Sequence, residues 1–488
     1  MAAGLIVLAA ILGSVATALI IPFLIAVYLE ETQAVLIFGS TAAAYAFFAS
    51  AIFISLRGKE RGLKRIETFG LLLLAWILLL FSGALPLGLS LGMPTNVALF
   101  ETVSAITTNN ATTFLEINNL PRSILFWRVQ LQWLGGFLTL LSMVIVLAPT
   151  GVGGLPKRQI ALLERVGIGG GGRILKTCVQ IGSTYIGLTF LCAFLLFIAG
   201  MPLFDSFSMA SGALSTGGFM SIDGGVLSLG SPMAFPILVV FMIIGATSIL
   251  WHRMIITRRG QLLREHRESY FILGAVVVLA VLLSIGLSGS AGLFTSGEDF
   301  THEILRGIFL AASLISTTGY EWTAGDIGKI PPIFVGCIIL VGGGAFSTAG
   351  GLKFYRLGGM LTQSFHELNR LVFPHSIQSE RFGGSLAELG VLKAIWSLLI
   401  VAVLTIWACA SILSLDGVPF EASIIAALSA FSSVGSAYDP NWNDLGLWPE
   451  FSEMALLSKS ALGVTMLLGR IEVLVFFGLF NMTYWNTR

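Results

Sequence analysis

Charge is what this sequence has least of. Among 488 residues only 11% are Asp, Glu, Lys or Arg, against about 25% in an ordinary soluble domain. The 27 basic and 26 acidic residues leave a net charge of +1, so no concentrated basic face exists to grip nucleic acid. Cysteine is scarce too: Cys178, Cys192, Cys337 and Cys409 fall in or beside apolar runs, with no C-x-x-C pair and no histidine at ligand spacing. They read as small packing residues rather than a disulfide framework or a metal site. The five histidines make no H-E-x-x-H pair, and no G-x-S-x-G elbow occurs. The run from Gly167 to Ile174 nearly fits a phosphate-binding loop, but Arg173 stands for the lysine and Ile174 for the magnesium-binding hydroxyl. No strand precedes it, and it reads as a cytoplasmic linker. Nothing supports catalysis or a cofactor bound to this chain.

What the sequence has is length of hydrophobic run, with 56% hydrophobic residues. A helix needs about 20 apolar residues to cross about 30 Å of hydrocarbon. Ten runs reach that length, near 4–28, 33–56, 67–91, 122–148, 177–200, 232–256, 270–292, 330–352, 389–414 and 455–480. The first exceeds the apolar core of a signal peptide and lacks a basic start, so a retained helix is expected. Shorter half-apolar runs lie near 97–109, 203–216, 305–318 and 421–434. Too short to span, they predict segments that enter the membrane and return. The most polar stretch, Lys353 to Glu388, is too short for a soluble domain.

Charge placement sets the expected orientation. Arg57, Lys59, Arg61, Lys64 and Arg65 follow the second run, Lys157, Arg158, Arg165, Arg173 and Lys176 the fourth, and Arg253, Arg258, Arg259, Arg264 and Arg267 the sixth. Lys353, Arg356, Arg370 and Arg381 lie near the end of the eighth. The alternate loops are acidic, with Glu30, Glu31, Glu116, Asp205, Asp223, Glu298, Asp299, Glu321, Asp326, Asp439 and Asp444. The positive-inside rule puts both termini and the basic loops in the cytoplasm and the four half-spans toward the outside, in a multi-pass plasma (inner) membrane protein. The acidic face has two readings at this point: acids merely tolerate translocation, or their potential concentrates cations over a mouth.

The half-spans end alike, in Thr107-Thr108-Asn109-Asn110-Ala111-Thr112, Ser215-Thr216-Gly217-Gly218-Phe219, Ser316-Thr317-Thr318-Gly319-Tyr320 and Ser432-Ser433-Val434-Gly435-Ser436. Taking Asn110, Gly217, Gly319 and Gly435 as markers, the spacings are 107, 102 and 116 residues. A period near one hundred indicates four-fold internal duplication. The expected units are residues 1–65 (two N-terminal helices), 66–156, 157–262 with its preceding linker, 263–382 and 383–488. Non-helical backbone at membrane depth is tolerated only where it is buried in protein or lines a watery cavity. A glycine apex can expose carbonyl oxygens on one side, and four such turns around an axis can replace the hydration shell of a monovalent cation.

With these turns, three longer motifs resemble the Trk/Ktr/HKT superfamily of potassium transporters, in its bacterial TrkH form. They are Leu120-Pro121-Arg122-Ser123-Ile124-Leu125-Phe126-Trp127-Arg128 with Gln132-Trp133-Leu134-Gly135-Gly136, Gly343-Gly344-Ala345-Phe346-Ser347-Thr348-Ala349-Gly350-Gly351-Leu352-Lys353, and Met466-Leu467-Leu468-Gly469-Arg470-Ile471-Glu472. The resemblance covers nearly the whole chain. It implies an all-α membrane protein with two N-terminal helices and four pseudo-symmetric M1–P–M2 units around one pore, hence ten spans and four re-entrant half-helices. It also implies potassium uptake, a homodimer in membrane lipid, and a separate cytosolic nucleotide-binding ring as gatekeeper. The filter residues so implied are Thr107, Thr108, Asn109, Asn110, Ser215, Thr216, Gly217, Thr317, Thr318, Gly319, Ser433, Val434 and Gly435.

Asn110 departs from the family, which has glycine at this first-turn position. Asparagine tolerates a left-handed backbone best among non-glycine residues, so the turn can survive with a side chain at its narrowest point. Serine at the equivalent place in plant relatives resembles a signature of sodium preference. The expectation is a pore with relaxed potassium–sodium discrimination or little conduction; an asparagine turned away would leave the filter normal. Five glycines between Gly342 and Gly351, with Ser347 and Thr348, interrupt the eighth run and fit a helix poorly. Gly342, Gly343, Gly344, Ser347, Thr348, Gly350, Gly351 and Lys353 resemble the family's intramembrane gating loop. Close helix packing through small residues is the other reading. Arg470 lies mid-span, where a cation costs about 2.5–3.5 kcal/mol and needs a partner, either Glu472 or an acid on another repeat. The matching family arginine is an electrostatic barrier below the filter. The competing functional reading is a non-conducting subunit kept for assembly.

Overall fold

The computed structural model describes residues 2–56, 65–148, 174–258, 267–290, 297–373, 381–382, 385–386, 389–442 and 448–471. Apart from a minimal antiparallel ladder pairing Arg381 with Leu386 and Phe382 with Ser385, the regular structure among these residues is helical. Helices win because uninterrupted apolar sequence in hydrocarbon must satisfy its own backbone. Among the described residues, seven helices are long and apolar enough to cross a membrane, between Gly4–Tyr28 and Gly390–Leu415. An eighth is counted if Ala234–Ala246 and Ile249–Ile256, bent by 109°, form one span.

The difference from ten runs has local causes. The 330–352 run yields only the ten-residue helix Pro332–Val341, because Gly342 takes φ +68° and the chain stays non-helical until Phe354–Val372 begins. The last run is described only through Leu456–Ile471. The run at 232–256 breaks at Thr247 and Ser248, where Thr247 is extended and the Ser248 hydroxyl caps the next helix through Leu250 N at 3.3 Å. The glycine loop holds that bend: Gly344 N donates to Ala246 O at 2.8 Å and Ile249 N to Phe346 O at 3.0 Å.

The four short helices are Thr95–Ile106, Leu203–Ser215, Gly297–Ile315 and Phe420–Ser432. Three start behind an extended proline, Pro94, Pro202 or Pro419, whose fixed φ suits a helix entry. The third begins eight residues before its predicted apolar run, and that extra length carries Glu298, Asp299 and Glu303, while Arg306 lies inside the run. The inner ends of the first, second and fourth are each gripped by a helix that follows, through a glycine. A Cβ at Gly135 would lie 1.8 Å from Ile106 O, at Gly245 2.7 Å from Ala213 O, and at Gly469 2.1 Å from Phe431 O. No side chain fits in those contacts, so these glycines fix how closely the surrounding helices approach the centre.

Candidate functional site

The four turns share one backbone construction. Asn109 N, Gly217 N, Thr318 N and Val434 N each donate five residues back, to Ser104, Gly212, Ser313 and Ser429 carbonyls, at 2.8–2.9 Å. The residue before each of those donors is left-handed: Thr108 (φ +56°), Thr216 (+54°), Thr317 (+58°) and Ser433 (+60°). A non-glycine residue avoids this region at a cost of about 1–2 kcal/mol, yet it recurs at four matched hydroxyl residues. Helix C-termini, the negative ends of the helix dipoles, point at all four turns.

This construction corrects the register read from sequence. Gly217 matches Asn109, and Gly218 (φ +80°) matches Asn110 (φ +60°) and Gly319 (φ +75°). Ser215 is the last helical residue of its unit rather than part of the turn. Gly435 holds the corresponding place in the fourth turn without a left-handed backbone, and its N–H donates to Asn109 O across the ring. Gly212 lacks the side chain of its counterparts Ser104 and Ser313 because a Cβ there would stand 2.0 Å from the Tyr320 hydroxyl.

The two asparagines point in different directions. Asn109 turns outward, its Nδ2 donating to Ser429 O at 2.9 Å and Ala430 O at 3.3 Å, so it caps the fourth short helix. Asn110 turns inward and is only 8% exposed. Its Nδ2 donates to Thr318 O at 3.4 Å and to Ser436 Oγ at 3.3 Å, while Ser436 N donates to its Oδ1 at 2.9 Å. Thr107, Thr108, Thr216, Thr317, Thr318, Ser433 and Val434 are fully buried. Thr107 Oγ1 bonds back to Val103 O at 2.7 Å, Thr216 Oγ1 to Ser215 O at 2.7 Å, and Thr318 Oγ1 meets Ser316 Oγ at 2.7 Å.

The glycine loop is tied directly beneath these turns. Gly350 N donates to Thr317 Oγ1 at 2.7 Å, and Thr348 Oγ1 donates to Leu214 O at 2.9 Å and Gly245 O at 3.1 Å. A Cβ at Gly350 would lie 2.0 Å from Ser432 O, so the loop also abuts the fourth unit. Inside the loop Ser347 Oγ bonds Gly344 O at 2.6 Å. Gly342 and Gly351, both left-handed, pack backbone to backbone, and a Cβ at Gly343 would lie 2.5 Å from that of Ala349. Lys353 is buried and donates its Nζ to Ala349 O at 2.5 Å and Ser347 O at 3.4 Å. Glu268 Oε1 accepts from Ala345 N at 2.8 Å. Arg470 is 5% exposed, and all three of its guanidinium nitrogens lack a hydrogen-bond partner among the described residues. Its suggested partner Glu472 lies outside them, as does the 167–173 segment.

Other residues emerge only from the structure. Glu101 and Arg128 form a buried pair at 2.9 Å. Glu101 Oε1 also accepts from Thr113 N at 2.5 Å, Thr113 Oγ1 at 2.8 Å and Thr112 Oγ1 at 3.0 Å. Arg128 lies over the Phe219 ring at 4.2 Å, joining the first and second turns. Ionisable residues within apolar runs are the signal that would have drawn attention to both. Gln132 is fully buried, with no hydrogen-bond partner for either carboxamide atom among the described residues, and a Cβ at Gly217 would run into it. At the acidic rim, Asp326 binds Arg306 at 3.1 Å and Lys329 at 3.0 Å. Glu321 accepts from Gly325 N at 2.9 Å and Ile327 N at 3.0 Å. Burial pushes its carboxyl up to about 7, against those two hydrogen bonds, with Asp326 and Asp439 adding to the rise.

The sequence model of the TrkH family, described as cation transport protein, matches residues 40–295 and 298–483. The Trk system potassium uptake proteins TrkH of Salmonella typhimurium and of Escherichia coli K12 are each 30% identical to the chain, over 441 and 444 residues, with 88% of both chains covered. The crystal structure of the potassium transporter TrkH from Vibrio parahaemolyticus superposes with a TM-score of 0.83 at 26% identity, covering 99% of both chains.

Proposed function

The chain belongs to the TrkH family of cation transport proteins, and from that premise we propose that it takes up monovalent cations, potassium foremost, through a channel-like pore between the four turns. The observation that carries this reading is the matched backbone construction, which gathers helix C-termini and carbonyl-rich turns at one place. Carbonyl dipoles there substitute for lost hydration, and the negative helix ends favour a positive charge. A membrane potential supplies about 2.3 kcal/mol per charge per 100 mV, so inward movement needs no ATP site on this chain.

In this reading the chain has ten spans in two N-terminal helices and four M1–P–M2 units, divided as 1–65, 66–156, 157–262, 263–382 and 383–488. It sits in the inner membrane with both termini cytoplasmic, as the alternating loop charges favour. Residues 107–110, 216–218, 317–319 and 433–435 form the filter, with Ser215 at its edge. Gly342 to Lys353 form the gate, and Arg470 is a cationic barrier. The relatives' designation as parts of a Trk system supports a working assembly, in which this chain is a homodimer in lipid governed by a cytosolic nucleotide-binding ring. Asn110 also favours a second reading, a weakly conducting subunit kept for assembly, because its side chain fills part of the ring.

Cation flux into proteoliposomes, with potassium and sodium compared at equal gradients, tests the proposal. Flux above empty vesicles, led by potassium but with measurable sodium entry, is expected. No flux with a cytosolic partner supplied favours the assembly reading.

A further inference from the structure

The third turn contributes two carbonyl oxygens to the ring, and a protein donor occupies each. Asn110 Nδ2 donates to Thr318 O, and Ser436 Oγ donates to Gly319 O at 2.8 Å. The donors are themselves joined, since Ser436 N and Oγ engage both ends of the Asn110 carboxamide at 2.9 and 3.3 Å. The amide also lies against the second turn, where a Cβ at Gly218 would stand 2.3 Å from Nδ2. One side chain from the first turn therefore touches the other three.

We propose that the Asn110 carboxamide is a displaceable bolt across the filter, held by Ser436, which fills carbonyl sites until a monovalent cation competes for them. The inference rests on the cation-uptake reading and adds regulation at the same site. The chemistry is a direct exchange: an amide N–H and a cation seek the same carbonyl lone pairs. Both Nδ2 contacts are longer than the usual 2.7–3.2 Å, so the donor side of the bolt is its weak side. The firm bonds run from Ser436 N to Oδ1 and from Ser436 Oγ to Gly319 O. Swinging the amide away leaves Thr318 O free for a cation.

The inference predicts a threshold in the dependence of flux on cation concentration. Wild-type protein should conduct little at low external potassium and disproportionately more as potassium rises. Asn110→Gly removes the bolt and suits φ +60° better than asparagine, so it should fold. It should raise flux at low potassium several-fold and abolish the threshold. Ser436→Ala removes one anchor while keeping Asn110 and should shift the threshold the same way by a smaller factor. Asn110→Asp separates a hydrogen-bonded bolt from simple narrowing: its shape is the same, but neither carboxylate oxygen can donate to Thr318 O. Release in Asn110→Asp, seen as threshold loss like that of Asn110→Gly, supports the bolt.

Equal concentration dependence in wild type and Asn110→Gly, with both conducting, overturns the bolt and leaves the uptake reading standing. Asn110→Asp as restricted as wild type likewise overturns it in favour of steric narrowing. Absence of flux in wild type and in a folded Asn110→Gly overturns the uptake reading and the bolt with it.

Discussion

At the scale of single residues, buried charge decides most. Glu101 and Arg128 are almost wholly enclosed, and removing one partner of such a pair costs about 3–5 kcal/mol by stranding the other. Arg128→Met alone should therefore lower the melting temperature sharply, and adding Glu101→Gln should restore most of the loss. A melting temperature insensitive to Arg128→Met would show that the pair does not hold the first turn. Glu321 gives the pH dependence. Its carboxyl sits at about 7 in the folded protein against 4.5 ordinarily, so the folded state favours the protonated form. The stability it contributes is complete below about pH 4.5 and is lost as pH rises to about 7. Wild type should thus fall behind Glu321→Gln across that window in thermal melts and run parallel above it. Identical pH profiles would contradict the placement of Glu321 among Asp326, Asp439 and the Gly325 and Ile327 amides. The pairings of such residues were not legible in the sequence: Ser436 meets Asn110 across 326 positions, a separation that no local pattern reports.

At the scale of elements, glycine contacts set the packing. Gly135→Ala would drive a Cβ into Ile106 O, and overpacking of this kind costs about 1–3 kcal/mol or more. Gly274 also lies in a membrane helix but has nothing within 4 Å of its Cβ site. Gly274→Ala should be neutral or stabilising by up to about 1 kcal/mol from helix propensity. Melting temperatures of the two variants in one detergent check the contrast. Thr317→Val removes the acceptor of Gly350 N, and an orphaned buried donor costs about 1–3 kcal/mol. It should loosen the loop under the third turn and raise flux, measured in the same vesicles as wild type. Hydropathy located the short helices well, since 97–109 and 421–434 became Thr95–Ile106 and Phe420–Ser432. Glycine content likewise foretold the break after Val341. The 109° bend at Thr247 was not legible, because a Thr-Ser pair within an apolar run does not by itself break a helix and the bend is held by loop residues about a hundred positions away. The second-turn register was ambiguous because Gly217 and Gly218 are chemically the same, and they are told apart by the hydrogen bond from Gly217 N to Gly212 O and the left-handed backbone of Gly218.

At the scale of the whole molecule, the proposed cation path rests on four equivalent turns, a loop tied beneath them and a buried Arg470 whose guanidinium has no hydrogen-bond partner among the described residues. Arg470→Met keeps an unbranched side chain and removes the charge, and cation flux should rise if the guanidinium opposes entry. The all-helical, membrane-spanning character was readable because bilayer thickness sets the length of apolar runs. The contents of the ring were not, since they depend on which way Asn109 and Asn110 face. The central claim is that cations reside between the four turns, and anomalous diffraction from crystals soaked in rubidium or thallium tests it most directly. The account predicts an anomalous peak bounded by backbone oxygens of residues 107–110, 216–218, 317–319 and 433–435, stronger in Asn110→Gly crystals. Ordered cations found elsewhere in the protein, with none at that ring in either crystal, would contradict it.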